Sequence, residues 1–269
     1  MANIGIIGVG VVGHAIKVGF EQLECEVICH DTKIDTHIRD VIETDLCFIC
    51  VPTPSRETGV CDSSIVEEII DDLFDLDYGG LVCIKSTVEP GTTKRLQDKH
   101  NTDRICFVPE FLRERLAVED FISNHDLCVV GTRNKDHFDL IAEAHGHYPK
   151  KIVQLTECEA EFCKYFSNVY NATIITFANS FYEICNKFDV NYTNVKNAVV
   201  NRRNITDNYL DCSDDLRGFG GPCLPKDLKA LAYIAEKTNT GIEFFRNLLQ
   251  ENKKYKATVF DGMRQREEK

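Results

Sequence analysis

Four apolar residues, Ile4–Ile7, run directly into Gly8-Val9-Gly10-Val11-Val12-Gly13, and a helical pattern, Val12 to Leu23, opens on the same glycines. A strand, a glycine turn and a helix in immediate succession constrain a chain strongly, because the next parallel strand is then reached by a crossover. The alternation continues to about residue 150. Candidate strands are Ile4–Ile7, Val27–His30, Leu46–Val51, Leu81–Lys85, Ile105–Val108 and Leu127–Val130. Pro52 and Pro54, Gly79-Gly80 and Glu89-Pro90-Gly91 punctuate them. Short apolar runs separated by amphipathic stretches predict βαβ units and a parallel sheet, which binds ligands beyond the carboxyl ends of its strands.

At Leu155 the character changes. Thr156-Glu157-Cys158-Glu159 has the form of a capping box, and neither Gly nor Pro occurs again until Gly218, so a long helix is expected from Glu157 to Phe188. A polar segment, Asn191 to Asp215, follows it, then a glycine-rich loop, then a helix from about Lys226 to Lys237 and a helix-compatible stretch, Ile242–Arg266. The fold expected is therefore α/β: a Rossmann-type parallel-sheet domain over residues 1–150, then an all-helical domain with a long central helix over 151–269.

Charge and cysteine usage narrow the function. The formal net charge is −12 and the basic residues form no long run, which argues against nucleic acid and anionic membrane surfaces as partners. No apolar run reaches a membrane-spanning length, and Met1-Ala2-Asn3 leads straight into the first strand pattern, so neither a span nor a secretory leader is expected. Thirteen cysteines, an odd number scattered through strands and helices, fit a reducing, cytoplasmic setting. Cys47 and Cys50 spell C-x-x-C, but on a strand positions three apart point to opposite faces, so they are expected to be small core residues. His145-Gly146-His147 has no acidic or cysteine partner at metal-ligand spacing and is expected in an exposed loop; no metal site is expected.

The glycine turn carries specific chemistry. Gly8 permits the tight turn, Gly10 lets the backbone approach a pyrophosphate, and Gly13 permits close helix–strand packing, with Val11 and Val12 opening the helix whose N-terminus faces the phosphates. Asp31 ends the second strand, where a carboxylate accepts hydrogen bonds from a ribose 2′-hydroxyl and repels a 2′-phosphate. NAD is thus favoured over NADP, with Lys33 close by. Thr53 and Thr87, at the ends of the third and fourth strands, can offer hydroxyls to a ribose, a nicotinamide or a reacting water, or serve as ordinary cap and turn residues.

Arg217-Gly218-Phe219-Gly220-Gly221-Pro222-Cys223-Leu224-Pro225-Lys226-Asp227 sets one cysteine between glycines that permit close backbone approach and a lysine–aspartate pair. Lys164 and Asn168 are four apart on the long helix and share a face; such a pair is commonly solvated, yet an ammonium and an amide aimed together can hold an oxyanion. Pro109-Glu110-Phe111-Leu112-Arg113-Glu114 brings two carboxylates to the end of the fifth strand, for general-base work or merely as a charged helix start.

Together these segments resemble the nucleotide-sugar dehydrogenases of the UDP-glucose/GDP-mannose 6-dehydrogenase family. The resemblance rests on Gly8-x-Gly10-x-x-Gly13, Val51-Pro52-Thr53-Pro54, Lys85-Ser86-Thr87-Val88, Pro109 to Glu114, Lys164 with Asn168, and Phe219 to Asp227, in the family's order. It implies an NAD-dependent oxidation of a UDP-glucose-like primary alcohol to the uronic acid, in two hydride transfers through a cysteine thiohemiacetal and thioester. Carried over, Cys223 is the nucleophile, Lys164 and Asn168 stabilise oxyanions, Asp227 manages protons and water, and Glu110 is the base for hydrolysis with Thr87 nearby. Glu114 and Lys226 lie along the cofactor, while Phe111, Leu112, Phe219, Gly220 and Gly221 join Glu110, Lys164 and Asn168 at the substrate. Departures are small: Val108 stands where relatives often have Asn or Ser, Arg115 where a small residue is frequent, and Pro222 precedes the cysteine. The family also has a third, UDP-binding domain that this chain is expected to lack, and it pairs as a homodimer through the central helix. Two alternatives remain open: a two-electron 3-hydroxyacid-type dehydrogenase, which needs no nucleophile at Cys223, and a truncated, non-catalytic NAD-binding protein.

Overall fold

The computed structural model describes residues 2–56 and 58–255. Its contacts divide into two compact units, Met1–Pro54 with Cys61–Lys164, and Ser55–Val60 with Tyr165–Lys269.

The first unit is a seven-stranded sheet of β1 (Ile4–Ile7), β2 (Val27–His30), β3 (Leu46–Ile49), β4 (Leu81–Ile84), β5 (Ile105–Phe107), β6 (Cys128–Gly131) and β7 (Ile152–Leu155), in the order β2-β1-β3-β4-β5-β6-β7. Helices α1 (Val11–Gln22), α2 (Ser64–Asp75), α3 (Thr92–His100), α4 (Ala117–Ile122) and α5 (Lys135–His145) connect the strands. All neighbouring strands are parallel except β5 and β6, which pair antiparallel through Phe107 and Gly131. The connection between those two holds only a 3-10 turn and the six residues of α4. The sequence pattern does not single out β7, for a physical reason: it is a half-buried edge strand whose four residues run almost at once into the next helix.

β1, β3, β4 and β5 are buried along their whole length, which is why they read as unbroken apolar runs. Their side chains alternate between two layers. Ile4, Ile6, Leu46, Phe48, Leu81, Cys83 and Cys106 pack with Ile16, Phe20 and Phe121 on one side; Ile7, Cys47, Ile49, Val82, Ile84, Ile105 and Phe107 pack with Val66, Ile70 and Leu96 on the other. Cys47 and Cys50 accordingly pack on opposite sides of the sheet.

Helix α6 (Glu157–Lys187) starts in the first unit and continues through the second. The capping box forms: Thr156 donates through N and Oγ1 to Glu159 Oε2 at 2.8 and 2.7 Å, and Glu159 N donates back to Thr156 Oγ1 at 3.4 Å. One turn on, the buried Glu161 carboxylate accepts from Gly91 N at 2.5 Å, Thr93 N at 2.8 Å and Thr93 Oγ1 at 2.6 Å, capping the N-terminus of α3. The second unit adds α7 (Tyr192–Val199), α8 (Leu224–Lys237) and α9 (Phe244–Asn252). α7 lies within the stretch expected to be merely polar, and α8 starts two residues ahead of Lys226 with Pro225 in its first turn, a position proline tolerates. Of the expected stretch Ile242–Arg266, residues 256–266 lie outside the described residues. Two small cores hold the unit: Val169, Ala172, Phe219, Leu228 and Leu248, and Ala178, Cys185, Tyr192, Leu210 and Cys212.

The structure corrects the expectation for His145. It is the last residue of α5 and fully buried, with its ring centroid 5.3 Å from that of Phe20 and 5.9 Å from those of Phe48 and Phe121. Nδ1 donates to the Ile141 carbonyl at 2.7 Å and Nε2 has no partner among the described residues. Spacing along the chain misleads here because the last helical turn directs the ring inward.

Burial pushes the His145 imidazole down to about 3, so the native state stays unprotonated where the unfolded chain, with a histidine pKa near ~6.5, takes up a proton. Stability is therefore lost as pH falls below about 6.5, by roughly 1.4 kcal/mol per unit from this group. Melting curves between about pH 5 and 6.5, above the carboxylate range, are expected to show this slope in the wild type and a flatter one in His145→Leu.

Candidate active site

Three segments at the carboxyl edge of the sheet converge on the dinucleotide turn. Gly8 has φ +90° and donates its N–H to His30 O at 2.8 Å, and a Cβ there would stand 2.9 Å from the Cys50 carbonyl. A Cβ on Gly13 would lie 1.9 Å from Gly8 O, so this helix–strand contact admits only glycine. Gly10 differs. A Cβ there would meet nothing within 4 Å, leaving open space above the backbone where α1 begins, as a pyrophosphate cradle requires.

Asp31 closes the other side of the turn. Oδ2 accepts from Val9 N at 2.7 Å and Oδ1 from Lys33 N at 2.9 Å; these two backbone donors, Val9 foremost, hold the carboxyl below its usual range and so ionised. A carboxylate keeps further lone pairs for a ribose diol. Lys33 thus meets Asp31 through its backbone. A cavity of about 710 Å³ beside α1 is lined by Val11, His14, Glu114, Arg115 and Leu116, which puts Glu114 near the first turn of the helix. Val12 is half-buried and packs against the core. Thr53 and Thr87 are both buried, and their segments are laced together because Ser86 Oγ donates to Val51 O at 2.7 Å.

A second group forms around Glu110. Its Oε2 accepts from Lys85 Nζ at 2.9 Å, its Oε1 from Phe111 N at 3.0 Å, and its backbone carbonyl from Lys164 Nζ at 2.5 Å. Both members of the ion pair are buried. Burial acts most strongly, to raise the Glu110 carboxyl, but the adjacent Lys85 ammonium, with His125 and the Phe111 N–H, offsets it and keeps the group below its ordinary value. Lys164 Nζ also stands 5.7 Å from the centre of the Phe111 ring, and Leu112 packs against the first core layer. Motif matching picks out Lys85 only as part of a string; the signal for its role is a lysine continuing the buried parity of Leu81 and Cys83.

In the second unit, Asn168 Nδ2 donates to Asp227 Oδ2 at 2.5 Å and Lys226 Nζ lies 2.9 Å from Asp227 Oδ1. Asp227 is fully buried and its N–H donates to Cys223 O at 2.9 Å, so it stands one helical turn beyond the cysteine. Cys223 is the N-cap of α8 and is exposed, whereas the other twelve cysteines are buried or half-buried. The first-turn N–H groups favour negative charge at such a position.

Two asparagines that sequence reasoning passes over set the loop's path. Asn252 accepts from Phe219 N and donates to Phe219 O, both at 2.9 Å, while Asn179 Oδ1 accepts from Arg217 Nε at 2.9 Å and Gly218 N at 3.1 Å. The Phe219 ring is buried in a core, which leaves the loop's outward contacts to Gly220 and Gly221. The candidate residues therefore gather as two groups: Glu110 with Lys164 in the first unit, and Asn168, Lys226 and Asp227 with Cys223 in the second.

A mostly parallel sheet with a glycine turn opening its first helix, and a carboxylate held at the end of the second strand, has the architecture of dinucleotide-binding proteins. The chain belongs to the UDP-glucose/GDP-mannose dehydrogenase family, matching that family's NAD binding domain over residues 32–148 and its central domain over residues 158–254. NAD is the dinucleotide that the first unit is built to hold. It is 29% identical to a UDP-glucose 6-dehydrogenase of Rickettsia conorii, across 96% of this chain and 65% of the relative. It is 30% identical to a GDP-mannose 6-dehydrogenase of Pseudomonas aeruginosa, across 82% of this chain and 53% of that protein. Among solved structures, a UDP-glucose dehydrogenase from the hyperthermophilic archaeon Pyrobaculum islandicum superposes with a TM-score of 0.86 at 27% identity, covering 94% of this chain and 68% of the other.

The three glycine environments separate packing from ligand binding. Gly13→Ala is expected to lower stability by about 1–3 kcal/mol through overpacking, with loss of NAD binding. Gly10→Ala is expected to leave the melting temperature unchanged and weaken NAD about tenfold, or ~1.4 kcal/mol, in calorimetric titration.

Proposed function

We propose that the chain acts in the NAD-dependent oxidation of a nucleotide sugar, a UDP-glucose-like compound, converting its primary alcohol to the uronic acid. The observation that carries this reading is the thiol of Cys223, exposed at the start of α8 one turn ahead of an Asp227 tied to Asn168 and Lys226. A hydroxyacid oxidation of two electrons has no use for that nucleophile.

Gly8, Gly10, Gly13 and Asp31 would hold NAD, which when bound would supply the hydride acceptor for each of the two oxidations. The Cys223 sulfur adds to the aldehyde carbon, forming a thiohemiacetal whose oxygen is stabilised by the Lys164 ammonium and the Asn168 amide. Its oxidation leaves a thioester. Water then attacks that carbonyl, its proton passes to Glu110, with Thr87 nearby, and the C–S bond breaks to return Cys223 as thiolate. Asp227 assists proton transfer at the sulfur end through its contacts with Asn168 and Lys226. Covalent attachment retains the half-oxidised carbonyl between the two oxidations, which a loosely bound aldehyde would not guarantee.

The chain is further proposed to act as a homodimer in a reducing, cytoplasmic setting. Phe166, Tyr170, Phe177, Phe181 and Ile184 recur along one side of α6, with Phe188 in the turn just after it, and remain 39–76% exposed, an apolar stripe of the kind that pairs with a second copy. Among the described residues no helix is long and apolar enough to cross a membrane, and the thirteen cysteines stand as thiols.

Incubation with a panel of UDP- and GDP-sugars is expected to give two NADH per acid formed, and Cys223→Ser to abolish acid production while NAD binding persists. One NADH per substrate would instead identify a two-electron dehydrogenase, and NAD binding without turnover of any sugar nucleotide a non-catalytic protein. Sedimentation of the wild type is expected to give a dimer, and Phe166→Glu combined with Phe177→Glu a monomer.

A further inference from the structure

Lys85 has no part in the chemistry just described, yet its ammonium is the deepest-set charge around the first group: its side chain is 1% exposed and that of Glu110 is 6% exposed. The strand register explains how the two meet. Cys83 pairs with Cys106 across β4 and β5, and both face the first core layer, so the next residues of that parity, Lys85 on one strand and Val108 then Glu110 on the other, leave adjacent strand ends toward the same side. Lys85 Nζ there lies 5.5 Å from the centre of the Phe48 ring and 6.0 Å from that of Phe121, in a layer that offers little solvation except Glu110 itself. A buried pair of this kind is weak evidence of stabilisation, because desolvation opposes the attraction, and breaking it strands a charge.

We propose that Lys85 is a positioning residue for thioester hydrolysis: it holds the Glu110 carboxylate charged and directed so that it can accept the proton of the attacking water. The proposal rests on the reading of Glu110 as the hydrolytic base. Two of the carboxylate's acceptor sites are committed, to Lys85 and to Phe111 N, and the remaining lone pairs are available to water. In the step itself the water oxygen bonds to the acyl carbon, its proton moves to Glu110, and the C–S bond breaks with its electron pair returning to Cys223; nothing is oxidised or reduced.

The groups that face the pair are few. Cys50 follows β3, Cys128 opens β6, His125 follows α4 and His145 ends α5; Lys164 approaches from α6 but bonds the Glu110 backbone. Burial pushes the Cys50 and Cys128 thiols up to about 12 and that of Cys83, two residues before Lys85, well above its ordinary value, and depresses both imidazoles, the His145 ring to about 3, so all five are neutral near pH 7. Lys85 is thus the group whose charge keeps Glu110 ionised. Without it, the Phe111 N–H is the main group left to oppose burial, the Glu110 carboxyl moves up, and a protonated carboxyl cannot take the water's proton.

The test follows NADH release, acid release and the intact mass of acid-quenched protein during a single turnover. In Lys85→Met the NADH formed before hydrolysis is expected to appear at close to the wild-type rate, while acid release falls on the order of a hundredfold, the usual contribution of a general base. A Cys223-linked acyl mass should then accumulate, and the acid limb of the hydrolysis profile should move to higher pH. Lys85→Arg should keep the acid limb where it is in the wild type. Since Lys85 acts through Glu110, Lys85→Met/Glu110→Gln should hydrolyse no more slowly than Glu110→Gln. If Lys85→Met does not fold, that double variant, which removes both charges, is compared with Glu110→Gln, and equal rates are still required. The proposal is overturned if Lys85→Met slows NADH formation as much as hydrolysis, or if its effect adds fully to that of Glu110→Gln. If instead the wild type yields no acid, or no acyl mass appears even in Glu110→Gln, the dehydrogenase reading itself fails.

Discussion

β1, β3, β4 and β5 lie side by side, parallel and in unbroken register, so the segments that leave them all emerge at one edge of the sheet. That constraint gathers Gly8, Thr53, Thr87 and Glu110, which are spread over a hundred residues of sequence, along a single rim. Each strand is only three or four residues long and buried on both faces, so a slip by one residue would turn every side chain to the other layer. Exchanging layers would also carry Lys85 and Glu110 away from each other. The register that packs the core therefore also forms the buried ion pair.

The ion pair and the glycine turn show two ways of holding reactive groups at that rim. Around Gly8 the backbone itself is shaped: a left-handed residue, a helix approaching so closely that Gly13 admits no Cβ, and an Asp31 carboxylate oriented by two peptide N–H groups. Around Glu110 the control is electrostatic, with one ammonium opposing the desolvation of one carboxylate among aromatic rings. Perturbed ionisable groups in such surroundings commonly mark functional sites, although structural ion pairs produce them too. What favours function here is that Glu110 also anchors Lys164 through its backbone carbonyl.

In the second unit the cysteine loop has little regular structure of its own and takes its course from its anchors. Asn252 grips both polar atoms of the Phe219 backbone, Asn179 holds Gly218, and the buried Phe219 ring fixes the loop to a core. Beyond these anchors the chain turns through Gly221, at φ +75°, into the first turn of α8, so Cys223 is presented at a helix N-terminus while Asp227, one turn later, is buried against Asn168. The anchors thus fix the path of the loop up to the residue that exposes its thiol.

Local pattern by itself determined six of the strands, the glycine turn after the first of them and the capping box of α6, because these depend on burial period, glycine geometry and hydrogen bonds between near neighbours. It could not show β7, an edge strand with a weak pattern, nor the inward turn of His145 at the end of α5, nor the antiparallel setting of β6. Asn179 and Asn252 were equally invisible, since an asparagine that bonds a backbone some 35 residues away leaves no local trace. Only the tertiary structure decided that Lys85 and Glu110, 25 residues apart, neutralise each other inside the protein. The physical reason is that a sequence displays the charge of each group, whereas the free energy of that charge depends on which neighbours and how little water the fold leaves around it.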